Sequence, residues 1–177
     1  MSTVTLFTYS NSEAQLTVGI KDTATEFRIY LSVRDHALNY FIDISREYRW
    51  LSNFAPVSIA YEGNIYPTVE HAYQAAKTLS DREAALIQAC RTPGDAKRMG
   101  RRLTIRPDWD QIKRSVMLEL LRLKFRDHPY KGLLTATDGT IMIEGNYWGD
   151  VYWGMFRGKG QNVLGQLLTQ VRSELLQ

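Results

Sequence analysis

The chain has 177 residues, 44% of them hydrophobic and 23% charged, which suits one domain with its own core. No apolar run approaches the ~18 residues that would span a bilayer, so a membrane-spanning protein is excluded. The net charge is +3, and the lone Cys90 and the three scattered histidines His36, His71 and His128 exclude an internal disulfide framework and zinc-type ligand spacing. No secretory leader pattern opens the sequence, and the expected location is the cytoplasm, with no metal, no cofactor and no membrane partner.

Residues 1 to 43 read as strands. Phe27, Ile29, Leu31 and Val33 alternate with Arg28, Tyr30, Ser32 and Arg34, the period-two mark of a half-buried strand. Weaker strand signals cover Thr3 to Tyr9, Leu16 to Ile20 and Asn39 to Ile42, with Ser10-Asn11-Ser12 and Lys21-Asp22-Thr23 as expected turns, which predicts a small antiparallel sheet. Ser58 to Tyr61 and Asn64 to Tyr66 flank Glu62-Gly63 and predict a short hairpin.

That hairpin leads into a helix expected over Pro67 to Lys77, with Pro67 in the first turn. A helix turns about 100° per residue, so Glu70, Gln74 and Lys77 form one line of polar groups. Val69, Ala72, Tyr73 and Ala76 form an apolar line, and the polar one lies roughly 110° from its centre, at the edge of a core. Clefts are lined by such positions. His71 falls opposite the apolar stripe and is expected to face solvent.

Helical patterning continues. Ser80 is placed to cap a helix running to about Cys90, and Thr92-Pro93 starts another that ends at Gly100. Pro107 and Asp108 begin the longest, in which Trp109, Ile112, Val116, Leu120 and Leu123 recur at helical spacing up to His128-Pro129. Thr140 to Ile143 is an expected strand, and Gly145 to Gly160 an ordered loop. Val163, Leu164, Leu167, Leu168, Val171 and Leu175 give an amphipathic final helix.

Each group able to carry chemistry has a structural alternative. Glu70 in a first helical turn is favoured by the macrodipole whatever else it does. The loop Asn146-Tyr147-Trp148-Gly149-Asp150-Val151-Tyr152-Trp153-Gly154 supplies a second carboxylate and aromatic faces for a base or sugar, or else a plug for the core. Arg157-Gly158-Lys159-Gly160-Gln161-Asn162 runs into the last helix and is either a phosphate cradle or a plain turn with Asn162 as cap. Arg91, Lys97, Arg98, Arg101, Arg102 and Arg106 suit a phosphate-bearing partner or the solvated face of a helix and loop. Together these parts specify a site for a phosphorylated, base-bearing sugar. Glu70 and Asp150 could share acid and base work at a glycosidic bond, and Lys77, as a neutral amine, could attack a ring-opened ribose or serve only as an ion-pair partner.

From about Arg49 onward the chain resembles the NADAR family, also called YbiA-like. The resemblance rests on Trp50-Leu51-Ser52-Asn53-Phe54, on Tyr66 through Lys77, on Arg98-Met99-Gly100-Arg101, on Trp109, on Tyr147-Trp148-Gly149-Asp150 and on Gly158-Lys159-Gly160-Gln161-Asn162-Val163-Leu164-Gly165. It implies an α+β, helix-rich N-glycosidase domain over residues 44–177, with a β extension over residues 1–43 packed on it. It also implies that Glu70 is catalytic, with Asp150 and Lys77 beside it. Substrate would meet Ser52, Asn53, Phe54, Gln74, Arg101, Trp109, Tyr147, Trp148, Gly149, Lys159, Gly160 and Asn162. Two substrates attach to the family. One is ADP-ribose on guanine in DNA, removed by antitoxins to DarT-type ADP-ribosyltransferase toxins; the other is the ribosylaminopyrimidine phosphates of early riboflavin synthesis. The extra N-terminal sheet and the arginine cluster favour ADP-ribosylated DNA, although Val151-Tyr152-Trp153-Gly154-Met155-Phe156 departs from the polar stretch of the short riboflavin-linked enzymes. A non-catalytic ADP-ribose or NAD-binding module and a basic nucleic-acid-binding protein are the rival classes.

Overall fold

The computed structural model describes residues 3–10, 15–23, 26–33, 39–41, 46–146 and 148–177. It is α+β, as expected. The strands β1 (Thr3–Ser10), β2 (Gln15–Thr23) and β3 (Glu26–Val33) form an antiparallel sheet in that order. The expected turn at Lys21-Asp22-Thr23 is strand instead, because Lys21, Asp22 and Thr23 pair with Arg28, Phe27 and Glu26 in a tighter hairpin. Asn11 and Ser12 of the other expected turn, and Ile42 of the last strand, lie outside the described residues.

The strand β4 (Asn39–Phe41) does not join that sheet. A kinked 3₁₀ segment, Arg46–Leu51, follows, and then the hairpin β5 (Ile59–Tyr61) and β6 (Asn64–Tyr66). The helices α1 (Val69–Ala75), α2 (Asp81–Gln88), α3 (Pro93–Met99), α4 (Trp109–Phe125) and α5 (Tyr130–Thr135) come next. The chain ends with β7 (Thr140–Met142), β8 (Gly145–Asn146), β9 (Met155–Phe156) and α6 (Val163–Leu176). Helix α5 and the strands β8 and β9 carry no periodic signal in the sequence, since each is too short to show one.

The chain divides into two compact units, Met1–Arg49 with Leu133–Gln177, and Trp50–Gly132. In the first, β4 pairs in parallel with β7, Asn39 opposite Thr140 and Phe41 opposite Met142. Arg172 of α6 is buried and donates to the Thr137 carbonyl and to Thr140 Oγ1, which fixes the start of β7. Val163, Leu167, Leu168 and Val171 form the buried face of α6.

In the second unit α1 is surrounded by α2, α3 and α4. Its core includes Ile59, Val69, Ala72, Ile87, Ala96, Leu120, Leu121 and Phe125, all under 2% exposed. At roughly 1.5–3 kcal/mol for each fully buried aliphatic or aromatic side chain, this packing holds a helix of only seven residues that could not persist alone. Side-chain oxygens of Thr68, Ser80 and Thr92 accept from His71 N, Glu83 N and Asp95 N, which caps α1, α2 and α3. Because Thr68 is the cap, Pro67 stands before the first turn rather than inside it. His71, expected in solvent, is 1% exposed. Its Nε2 donates to the Cys90 carbonyl at 3.2 Å, so Nδ1 accepts from Thr68 Oγ1 at 2.8 Å, and burial lowers its proton affinity. Periodicity along α1 shows where its first apolar layer lies; it cannot show that further helices cover the other side.

Candidate active site

Glu70 lies one residue into α1, and its backbone amide donates to the Asn53 carbonyl at 3.0 Å. The residue is 7% exposed, and its carboxylate accepts from Gln74 Nε2 at 2.8 Å, one helical turn on. It plays no capping part, since Thr68 does that. Burial pushes the Glu70 carboxyl above its ordinary value, and the Gln74 hydrogen bond and the charges of Lys97 and Lys77 only partly oppose this. A carboxyl held this way keeps its proton to higher pH than a surface glutamate.

Lys77 falls just past the helix, in the turn that follows. Its amine sits 5.6 Å from the centre of the Tyr73 ring and 6.0 Å from that of Trp109. Those two rings pack at 5.0 Å, and Trp109 is buried. Burial lowers the proton affinity of Lys77, Glu70 raises it, and Lys97 and Arg101 lower it further. Glu70, Gln74 and Lys77 thus share one region, as the spacing requires.

The segment Ser52-Asn53-Phe54 belongs to the same unit. Ser52 Oγ accepts from the Phe54 amide, Asn53 Nδ2 lies 3.5 Å from Met117 Sδ, and the half-exposed Phe54 ring has the Lys97 amine 5.8 Å from its centre. Gln74 Oε1 and Asn53 Oδ1 are buried without hydrogen-bond partners among the described residues. A Cβ on Gly100 would overlap the Gln74 carboxamide, so the absence of a side chain there makes room for the group that orients Glu70. Arg101 and Arg102, the next two residues, are exposed. A groove of about 770 Å³ is lined by Leu79, Leu86, Ile105 and Arg106 among others, none of them in the set expected to be catalytic or to meet substrate.

The remaining candidates belong to the other unit. Asp150 Oδ1 accepts from the Tyr152 and Trp153 amides at 3.0 and 2.9 Å, and Asn146 is bonded to the Asp150 backbone at both ends of its carboxamide. That carboxylate therefore organises its own loop, which presents an exposed Trp148 and Gly149. Tyr147 lies outside the described residues. The expected phosphate cradle needs revision in its physical basis: the amides of Gln161, Asn162, Val163 and Leu164 already donate to carbonyls of Val151, Gly154, Tyr152 and Trp153. An anion there would meet the exposed Lys159 and Arg157 side chains rather than the helix end. Gly160, at φ 148°, is glycine because a Cβ would collide with the Gly154 carbonyl. Asn162 begins α6 without capping it, its carboxamide instead bonding the Met142 carbonyl and the Glu144 amide.

Lys97, Met117, Gly100 and Lys124 border these groups and lie outside the expected set. In the sequence Lys97 shows only as part of the basic cluster. Lys124 did leave a sequence signal, since it follows Leu120 by four residues and so sits on the apolar stripe of α4. Among the described residues no group of acidic, histidine and cysteine side chains could hold a metal ion, and no helix is long and apolar enough to cross a membrane.

A buried glutamate on a short helix inside a helix-rich α+β domain defines the class, and comparison with known proteins supplies the family. Residues 40–176 match the NADAR domain, and the chain belongs to the NADAR family. It is 37% identical over 152 residues to the protein named N-glycosidase YbiA of Escherichia coli, covering 84% of this chain and 94% of that one. It is 37% identical over 143 residues to N-glycosidase Npun_R5314 of Nostoc punctiforme, covering 77% and 91%. Riboflavin biosynthesis protein PYRR, chloroplastic, of Zea mays matches at 36% over 144 residues, 71% of this chain but 23% of that longer one. The NMR structure of E. coli YbiA superposes with a TM-score of 0.70 at 37% identity, covering 79% of this chain and 85% of that one.

Proposed function

We propose that this protein is an N-glycoside hydrolase that cleaves a ribose C1′–N bond, and that its substrate is ADP-ribose attached to guanine in DNA. The observation that carries the reaction is the Glu70 carboxyl, buried, bonded by Gln74 and made hard to ionise. The names of the YbiA and Npun_R5314 relatives agree with it.

The chemistry follows from the leaving group. An exocyclic amine departs poorly as an anion, so the nitrogen must receive a proton as its bond to C1′ breaks. Glu70 in its acid form supplies that proton. The resulting carboxylate then takes a proton from water as the water oxygen bonds to C1′, which gives free ADP-ribose and unmodified base and restores the acid. A Lys77 route is the alternative: ring opening leaves C1′ as an imine of the base amine, the neutral Lys77 amine adds to C1′, the protonated base amine leaves as its own C1′–N bond breaks, and water then hydrolyses the lysine imine to free ADP-ribose and the Lys77 amine. Borohydride during turnover should leave a reduced adduct on Lys77 if that route operates; no adduct, with an active Lys77→Ala variant, sinks it.

The DNA assignment rests on Arg101, whose charge acts on Lys77, and on its neighbour in sequence Arg102, both exposed and suited to phosphates. A DNA ADP-ribosyltransferase toxin is then the enzyme that makes this substrate and the natural partner of the protein. The PYRR match favours a second reading, hydrolysis of ribosylaminopyrimidine phosphates. Incubation with a guanine-ADP-ribosylated oligonucleotide, and separately with the pyrimidine phosphate, followed by mass spectrometry, tests both. Release of ADP-ribose by wild type and not by Glu70→Gln is expected; tight binding without release by either protein favours a non-catalytic module.

A further inference from the structure

We propose that Lys124 is a positioning residue for the reaction, its amine holding the Leu51 and Ser52 carbonyls and so setting the Ser52–Phe54 loop against the first turn of α1, where Asn53 binds the Glu70 amide. This rests on the glycosidase reading for its catalytic consequence. Lys124 projects from α4 and is 2% exposed. Its Nζ donates to the Ser52 carbonyl at 2.7 Å and the Leu51 carbonyl at 3.2 Å. The Phe125 and Tyr130 rings lie 5.1 and 5.5 Å from it, so aromatic faces complete the shell on the other sides. The chain of contacts is short. Ser52 is one residue from Asn53, whose carbonyl takes the Glu70 amide at 3.0 Å and whose Oδ1 is one of the two unpartnered buried acceptors.

A purely structural core position would be met more simply by leucine or methionine, because burying an ammonium is costly. That cost shows in the side chain itself, whose pKa is pushed down from 10.5 to about 7 by burial alone. The groups facing it are the two carbonyls and the two rings, and Tyr130 is committed through its hydroxyl to the Pro56 carbonyl at 3.0 Å; no carboxylate faces it among the described residues. Charged, the group makes hydrogen bonds roughly twice as strong as neutral ones. The clamp is therefore tighter below neutrality and looser above it, and the loop carrying Asn53 follows.

Two measurements on the full chain test this. In a Glu70→Gln protein, where the glutamate itself no longer titrates, the amide NMR signals of Ser52, Asn53, Phe54 and residue 70 should move together between pH 5.5 and 9 with a midpoint near that of Lys124, and the movement should vanish when Lys124→Met is added. In the active protein, Lys124→Met should lower kcat by about tenfold to a hundredfold, as a small misplacement at a reacting centre does, with KM changed less than about twofold. Flat loop signals in the Glu70→Gln protein, or a folded Lys124→Met enzyme with wild-type kcat and pH profile, overturn the proposal. If Lys124→Met does not fold, the titration decides alone. Coupled titration in a protein that hydrolyses neither substrate would uphold the clamp while removing the glycosidase reading.

Discussion

Substituting Gly100→Ala adds one methyl group at the place where Gln74 reaches Glu70. Gly100 has ordinary right-handed helical geometry, φ −57° and ψ −18°, so alanine is acceptable to the backbone and by itself contributes about 0.4–1 kcal/mol through the unfolded state. The conflict is entirely with the Gln74 carboxamide, which the new Cβ would overlap. Gln74 is 4% exposed, so it can move aside only by giving up its hydrogen bond to Glu70. A hydrogen bond to a charged group contributes about 1.5–3 kcal/mol. Its loss raises the Glu70 pKa further, in the direction in which burial already pushes it. The sign holds for either role, because that bond favours the carboxylate: the limb of the pH–rate profile that belongs to Glu70 moves to higher pH. Stability should fall by about 0.5–2.6 kcal/mol, since the lost hydrogen bond outweighs the gain through the unfolded state. Rates of glycoside hydrolysis across pH, with melting followed by circular dichroism, provide the assay. A folded Gly100→Ala enzyme whose limb stays where the wild-type limb lies would refute the reasoning, and Gln74→Leu should reproduce the shift without the methyl group.

Glu70→Gln should abolish hydrolysis and yet raise the melting temperature at pH 8. The folded pKa lies above the ordinary 4.5, so the folded chain holds its proton longer than the unfolded chain, and stability is lost as pH rises through that window. The advantage of the variant should therefore disappear below about pH 4, and equal melting temperatures at pH 8 would contradict the burial argument. Trp109→Ala should cost about 3–5 kcal/mol in chemical denaturation, since the ring is buried against Tyr73. Replacing Arg101 and Arg102 together by Gln should weaken binding to ADP-ribosylated DNA and flatten the slope of log affinity against log salt by about 2.

Local rules made much of the fold legible. Thr92 followed by Pro93, and Ser80 three residues before Glu83, are short-range signals that mark helix starts whatever surrounds them. The same holds for Glu70 and Gln74, whose bond is built into helical spacing. What stayed hidden depends on layers and distant pairing. His71 reads as exposed until α2 and α3 cover it, and β4 reads as part of the N-terminal sheet until β7 offers a parallel partner. Lys124 is the instructive case: its place on an apolar stripe was visible, while the two carbonyls that make a lysine tolerable there come from a segment more than 70 residues earlier.

The pairing of Asn39 with Thr140 joins an early and a late segment of the chain in one unit, while Trp50–Gly132 forms the other. On a ribosome adding roughly 5–20 residues per second, β4 must wait about 5–20 s for β7 to be made. Trp50–Gly132 can collapse on its own contacts in that interval, with Glu70, Gln74 and Lys77 already on it. The strand edge that β7 will occupy stays open meanwhile, a template for any passing extended segment. Synthesis rate and chaperone supply should therefore bear on the yield of this protein more than on the stability of the finished fold, and a chain cut short before Thr140 would be left with β4 unpaired.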